Sequence, residues 1–182
     1  MELSEQQIAD NRERIISLLT STGRQGVDEV VKYMDANGFF VVPSSRSRHH
    51  NWRGGLAQHA LGVYDRLSAT GAGLPADSII LTALLHDICK ARFHYYDETG
   101  NLKTRKAQDL HIPGHGTRSV ELLKKCGLHL SEEERKAIRW HMGGWKVDRE
   151  QIRDFFATKK SDLWRLLYNA DRYDASHNCP KA

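Results

Sequence analysis

The chain has 182 residues and a formal net charge of +4, with 40% hydrophobic and 27% charged residues. That is one soluble domain's length and composition, able to bury about 70% of its unfolded surface; it excludes collagen-like and low-complexity chains and any need for disulfides merely to fold. The longest apolar run, Ile79 to Leu85, is far too short to span a bilayer. The first residues, Met1 to Gln7, contain no apolar signal core. Cys89, Cys126 and Cys179 show no CxxC spacing, so the expectation is reduced thiols and a cytoplasmic location. The sequence pI near 9.0 implies tolerance for anionic ligands.

Nearly every long segment reads as helix. Ser4 and Gln7 form a capping box before Ile8, Ile15, Leu18 and Leu19 at helical spacing. Gly23 and Gly26 break the pattern, and Val27, Val30, Val31 and Met34 mark a second helix ending near Asn37-Gly38. Residues 39–53 read as a basic loop anchored by Phe39 and Phe40 and carrying Arg46, Arg48, His49, His50 and Arg53. After Gly54-Gly55, the apolar face Leu56, Ala60, Val63 and Leu67 predicts a helix that Gly71 and Gly73 stop. Ala76 to about Lys90 is the most apolar helix and is expected at the centre of the domain. From Arg92 to Ile112 the pattern is least helical, and Asp97 to Asn101 suggests the turn of a short β-hairpin. Pro113 opens the next helix. Ser131 caps another, with Ile138, His141 and Met142 expected on one of its faces. Gln151 to Ala157 and Ser161 to about Ala175 complete the set, and the tail from Ser176 is expected to fray. The expected fold class is therefore all-α, a single helical bundle with at most a small hairpin.

Ten histidines are the informative feature of the composition, because imidazole is the commonest metal ligand and proton carrier near neutral pH. His86-Asp87 closes the most apolar helix, where an ionised carboxylate is costly unless paired or bound to a cation. His59, His115, His141 and Asp171 each fall on a different predicted helix, spaced 26 to 30 residues from the next such block. One polar residue per helix is what a bundle needs to bring several side chains to one interior point. A lone histidine on such a face is usually a hydrogen-bonded core residue; four histidines and two aspartates together point to a divalent transition metal. Imidazole and carboxylate suit Mn, Fe, Ni, Co or Zn better than calcium.

The order His59, His86-Asp87, His115, His141, Asp171 resembles the HD-domain superfamily of metal-dependent phosphohydrolases. The surrounding segments Gly54–Leu61, Ala83–Lys90, His115-Gly116, Trp140-His141 and Asn169–Arg172 resemble that family's blocks, over about Trp52 to Asp174. Cys89 stands where many members have glycine. The resemblance implies an HD domain over 51–176, N-terminal helices and the basic loop (1–50) packed on it, and a tail at 177–182, one compact domain overall. It further implies that His59, His86, Asp87 and Asp171 hold one metal, that His115 and His141 add a second, and that Asp87 bridges them. The implied activity is hydrolysis of a phosphate mono- or diester of a nucleotide or other small phosphorylated molecule. The catalytic residues would be Asp87 and Lys90, with Lys90 also at the substrate phosphate unless it is simply a solvated helix-end lysine.

Arg46, Arg48, His49, His50 and Arg53, with Arg53 foremost, are candidates to clamp phosphate oxygens, the alternative being a solvated loop. His111 is a candidate substrate histidine. Arg118 and Arg172 are expected to orient carboxylates, and Phe93 to Tyr96 either to stack on a base or to form a lid. A diiron oxygenase of the same superfamily, a single-strand nuclease and a non-cleaving nucleotide-binding module are the competing readings. The mild charge disfavours nucleic acid, and no membrane partner is expected.

Overall fold

Residues 78–85 are all buried, so the helix that carries them is covered on every side. This is α4 (Ala76–Leu85), the axis of the molecule in the computed structural model, which describes residues 3–105, 114–144 and 151–177. Before it come α1 (Glu5–Ser21), α2 (Val27–Ala36) and α3 (Gly55–Thr70). After it come a 3-10 turn (Ile88–Arg92) and the hairpin strands β1 (His94–Tyr96) and β2 (Leu102–Thr104). Then follow α5 (His115–Lys125), α6 (Glu132–Arg139), α7 (Gln151–Thr158) and α8 (Asp162–His177). The described residues thus form an all-α bundle with one two-stranded antiparallel hairpin, as the periodicity implies. None of their helices is long and apolar enough to cross a membrane.

Two apolar clusters share α3 and α4. One joins Ile15, Leu19, Val30, Met34, Phe39, Leu56, Leu81, Leu84, Leu85 and Leu123. The other joins Val63, Leu67, Ala83, Ala137, Leu163 and Leu167, where α3 and α4 meet α8 and α4 meets α6. Phe39 and Phe40 are both buried, so the basic loop is pinned at its start. Its end is tied to the segment after α2 by backbone bonds from Gly54 N–H to Val41 O and from Leu56 N–H to Val42 O.

Three expectations need correction. The apolar helix does not continue to Lys90. It ends at Leu85, His86 is still helical, and Asp87 turns out of the helix (φ −109°, ψ 12°) into the 3-10 turn. The break lets adjacent side chains, about 100° apart on a regular helix, aim at one point. Likewise α6 ends at Arg139, so His141 lies in the turn beyond it. Met142 is 46% exposed rather than facing the core. The last helix runs to His177, past Ser176, whose Oγ donates to Arg172 O. Pro113 lies outside the described residues. The hairpin is present, with His94 opposite Thr104, and Asp97 Oδ1 accepts from the N–H groups of Thr99 and Asn101 to shape its turn.

One buried polar knot joins the first two helices to the rest. Glu134, 1% exposed, accepts two hydrogen bonds from the Arg24 guanidinium at 3.0 and 3.1 Å and one from Ser78 Oγ at 2.7 Å. Arg24 also donates to His129 O. Burial pushes the Glu134 carboxyl up, but Arg24, Ser131 and Ser78 outweigh it and hold it below the usual range. Glu134→Ala strands Arg24 and Ser78, and is expected to lower unfolding free energy by about 2–4 kcal/mol. Urea denaturation checks this; an unchanged midpoint would dismiss the knot as a stabilising element.

Candidate metal centre

Asp87 lies at the middle of the site, 3% exposed, and its two oxygens face different histidines. Oδ2 is 3.4 Å from His86 Nε2 and 3.6 Å from His59 Nε2. Oδ1 is 3.4 Å from His141 Nε2 and 3.7 Å from His115 Nε2. Asp171 Oδ1 closes the first side, 3.2 Å from His59 Nε2 and 3.8 Å from His86 Nε2. The His59, His86 and His141 side chains are fully buried, whereas the His115 side chain is 31% exposed. The structure therefore brings together all six residues singled out in the sequence.

Each ring is set from behind. His86 Nδ1 lies 2.8 Å from Ala83 O and His141 Nδ1 2.7 Å from Ile138 O. A carbonyl oxygen only accepts, so these Nδ1 atoms carry the protons and, in the neutral rings, Nε2 presents a lone pair. His59 Nδ1 lies 2.6 Å from Asp174 Oδ2, which imposes the same arrangement. Lone pairs and carboxylate oxygens thus converge on a dry interior with little to donate between them. Asp87 Oδ1, His115 Nε2 and His141 Nε2 are buried with no hydrogen-bond partner among the described residues. Buried orphan acceptors are costly, and a cation satisfies them. The donor set fits a divalent transition metal.

Without the ion, protons take its place. Burial pushes His59 down, but its hydrogen bonds with Asp171 and Asp174 outweigh this and hold it up at about 9. His141 is also raised, Asp87 outweighing burial. Asp171 lies well below the carboxylate range; burial opposes this, but the hydrogen bond from His59 and the nearby histidines prevail. Asp87 is lowered in the same way, burial being overcome chiefly by Lys90, whose Nζ is 2.6 Å from Asp87 Oδ2. His115 is pushed down to about 4, mainly by burial.

Two glycines allow the close approaches. A Cβ on Gly62, in α3, would stand 1.9 Å from Asp174 Oδ1, so only glycine leaves room for the carboxylate behind His59. A Cβ on Gly116 would stand 2.3 Å from Arg139 O; its absence lets the start of α5 meet the end of α6. The rings of His115 and His141 are consequently 5.2 Å apart. Sequence reasoning missed Asp174. The signal was there: Asp174 lies three residues after Asp171 on one helical face, and a glycine sits three residues after His59 inside α3.

The candidate substrate residues fall in different places. Lys90 reaches the centre and is not a solvated lysine. The His49 ring lies 5.2 Å from that of His59, and burial pushes its pKa down to about 4. His50 is packed behind His59, 1% exposed, its Nε2 3.6 Å from Asp174 Oδ2; that burial takes it out of the expected phosphate clamp. Arg53 is paired with Glu5 of α1, so the clamp expected of it is engaged elsewhere. His111 lies outside the described residues. Arg118 lies over Phe93, and Arg172 lies over Tyr168 and donates to its hydroxyl. Cys89 Sγ donates to His115 O, so the thiol that replaces the family's glycine braces the start of α5. A cavity of about 610 Å³, lined by His115, His141 and Asp171, opens onto the centre.

A family model described as HD domain matches residues 56–176, the segment that carries all six residues. No curated protein and no solved structure matches the chain.

Coordination at Nε2 must displace the proton that metal-free His59 holds up to about pH 9. Metal affinity is therefore expected to rise with pH up to about 9, with proton release on binding. Titration calorimetry in buffers of different ionisation enthalpy reads both, and pH-independent affinity would refute the coupling. In the metal-free protein, the stability contributed by charged His59 is complete below pH 6.5 and is lost as pH rises through about 9. Asp174→Asn is expected to weaken metal binding about 10–100-fold at unchanged helix content. Competition with a chromophoric chelator measures it, and wild-type affinity would remove Asp174 from the support of His59.

Proposed function

Because the chain belongs to the HD-domain superfamily of metal-dependent phosphohydrolases, we propose that it hydrolyses a phosphate ester of a nucleotide or another small phosphorylated molecule. The observation that carries this reading is the position of Asp87, with one oxygen toward His59 and His86 and the other toward His115 and His141. A carboxylate shared in this way is the arrangement for two cations side by side. Divalent metal held there would supply Lewis acidity toward phosphoryl oxygens and a water acidified enough to act as nucleophile near neutral pH.

The chain's own residues do the rest. Lys90, kept charged because Asp87 outweighs its burial, lies against that carboxylate, where it would attract a phosphoryl oxygen. His49 is lowered to about 4, so it meets substrate as a neutral ring able to donate or accept a hydrogen bond without adding charge. Leu85 and Ile88, which flank His86-Asp87 in the chain, are fully buried, which keeps water from that side. Such exclusion strengthens each electrostatic contact inside.

The test is phosphate or nitrophenol release from p-nitrophenyl phosphate, bis-p-nitrophenyl phosphate and nucleoside phosphates by protein loaded separately with Mn²⁺, Fe²⁺, Co²⁺, Ni²⁺ and Zn²⁺. Turnover that chelator removes and metal restores is expected. Lys90→Gln is expected to lower kcat/KM about 100-fold while metal content stays the same. No release with any metal, or substrate-dependent oxygen uptake by the iron form, would overturn the proposal.

A further inference from the structure

The cavity that opens onto the centre holds more positive charge than one scissile phosphate requires. Three arginines from distant parts of the chain line it: Arg48 from the basic loop, Arg139 at the end of α6 and Arg172 on α8. Among the described residues none of the three makes an ion pair. Asp171, the one carboxylate among the described residues lining the cavity, is held by His59. Asp154, the acid near Arg139, accepts from Trp140 Nε1 and pairs with Lys136, so Arg139 is only its more distant positive neighbour.

Two of these guanidiniums are held by aromatic rings. The Arg139 guanidinium carbon lies 4.9 Å from the centre of the Trp140 ring, and its Nε is buried with no acceptor among the described residues. The Arg172 guanidinium carbon lies 5.4 Å from the centre of the Tyr168 ring, and Nη1 donates to Tyr168 Oη at 3.0 Å. Resting a guanidinium on a ring restricts it and leaves further N–H groups for a bidentate anion. Lys90, by contrast, is engaged with Asp87. The positive groups are therefore divided between Lys90 at the Asp87 carboxylate, where the ester would be cut, and cavity-lining arginines that make no ion pair among the described residues.

We infer that Arg139 and Arg172, with Arg48, form a subsite for a second phosphate of the substrate, separate from the one hydrolysed. The substrate class is then a compact molecule phosphorylated at two positions, such as a nucleoside bisphosphate. A cavity of about 610 Å³ accommodates a ligand of that size. This inference rests on the phosphohydrolase reading. The second phosphate has two chemical sources, a small bisphosphate or the next phosphate of a short oligonucleotide.

The test compares kcat/KM of the full metal-loaded chain for adenosine 5′-monophosphate, adenosine 3′,5′-bisphosphate and a 5′-phosphorylated diadenylate. The wild-type protein is expected to prefer the bisphosphate over the monophosphate by about 10–100-fold, the effect of hydrogen bonds to a charged group. In Arg139→Gln and Arg172→Gln that ratio is expected to fall toward one, chiefly through KM. Arg165→Gln, which removes an exposed arginine paired with Asp162, keeps the wild-type ratio. Preference for the diadenylate, lost in the same two variants, supports the subsite and identifies the oligonucleotide as the source. Equal kcat/KM for mono- and bisphosphate in the wild type, or a ratio unmoved by both variants, overturns the subsite and leaves the phosphohydrolase reading standing. Release from none of the substrates, with none of the metals and none of the nitrophenyl esters, overturns that reading itself.

Discussion

The architecture of the centre depends on one buried carboxylate held among imidazoles. Asp87 would be prohibitively costly as a lone ion in this interior. It persists because Lys90 lies 2.6 Å from one oxygen and four histidines surround the pair. Everything near it serves that need: α4 stops one residue before His86, the chain tightens into a 3-10 turn, and Lys90 returns to the carboxylate within that turn. A continuous helix through Lys90 would spread His86 and Asp87 around its circumference and leave the charge without its partners.

The rings around Asp87 are themselves oriented by acceptors farther out. Carbonyls of Ala83 and Ile138 hold His86 and His141, and Asp174 holds His59. Those carbonyls come from the helix or turn just before each ring, so local chain geometry supplies them. Asp174 comes from α8 across the domain and needs a helix without a side chain at Gly62 to reach its place. The centre is thus both a ligand set and a device that joins α3, α4 and α8, the helices whose apolar faces make the shared core. Where the metal is absent, the raised His59 and lowered Asp171 show the same convergence neutralised by protons.

Charge beyond the centre is distributed unevenly. Arg24 is used in the Glu134 knot, Arg12 and Arg14 in pairs with Asp35 and Asp65, and Arg53 with Glu5. The arginines around the cavity stand apart, because aromatic rings rather than carboxylates hold two of them. A net charge of +4 gives no hint of this division. Position, not amount, makes the cavity wall an anion site.

Much of this was legible before folding is considered. Helical periodicity, capping boxes at Ser4 and Ser131, and the turn residues of Asp97 to Asn101 identify an all-α chain with a hairpin, because they act over three or four residues. The six metal-site residues could be picked out because polar groups at apolar helical positions need a partner, and their order resembles one family. The boundary at Leu85, the exposure of Met142 and the pairing of Arg53 with Glu5 were not legible, since each depends on a neighbour distant in the chain. So do the role of Asp174, 115 residues from His59, and the meeting of Arg48, Arg139 and Arg172 around one cavity. Sequence alone determined which side chains had to be satisfied inside. Tertiary structure decided which oxygen meets which nitrogen, because that is set by helix packing within tenths of an ångström and no local pattern encodes it.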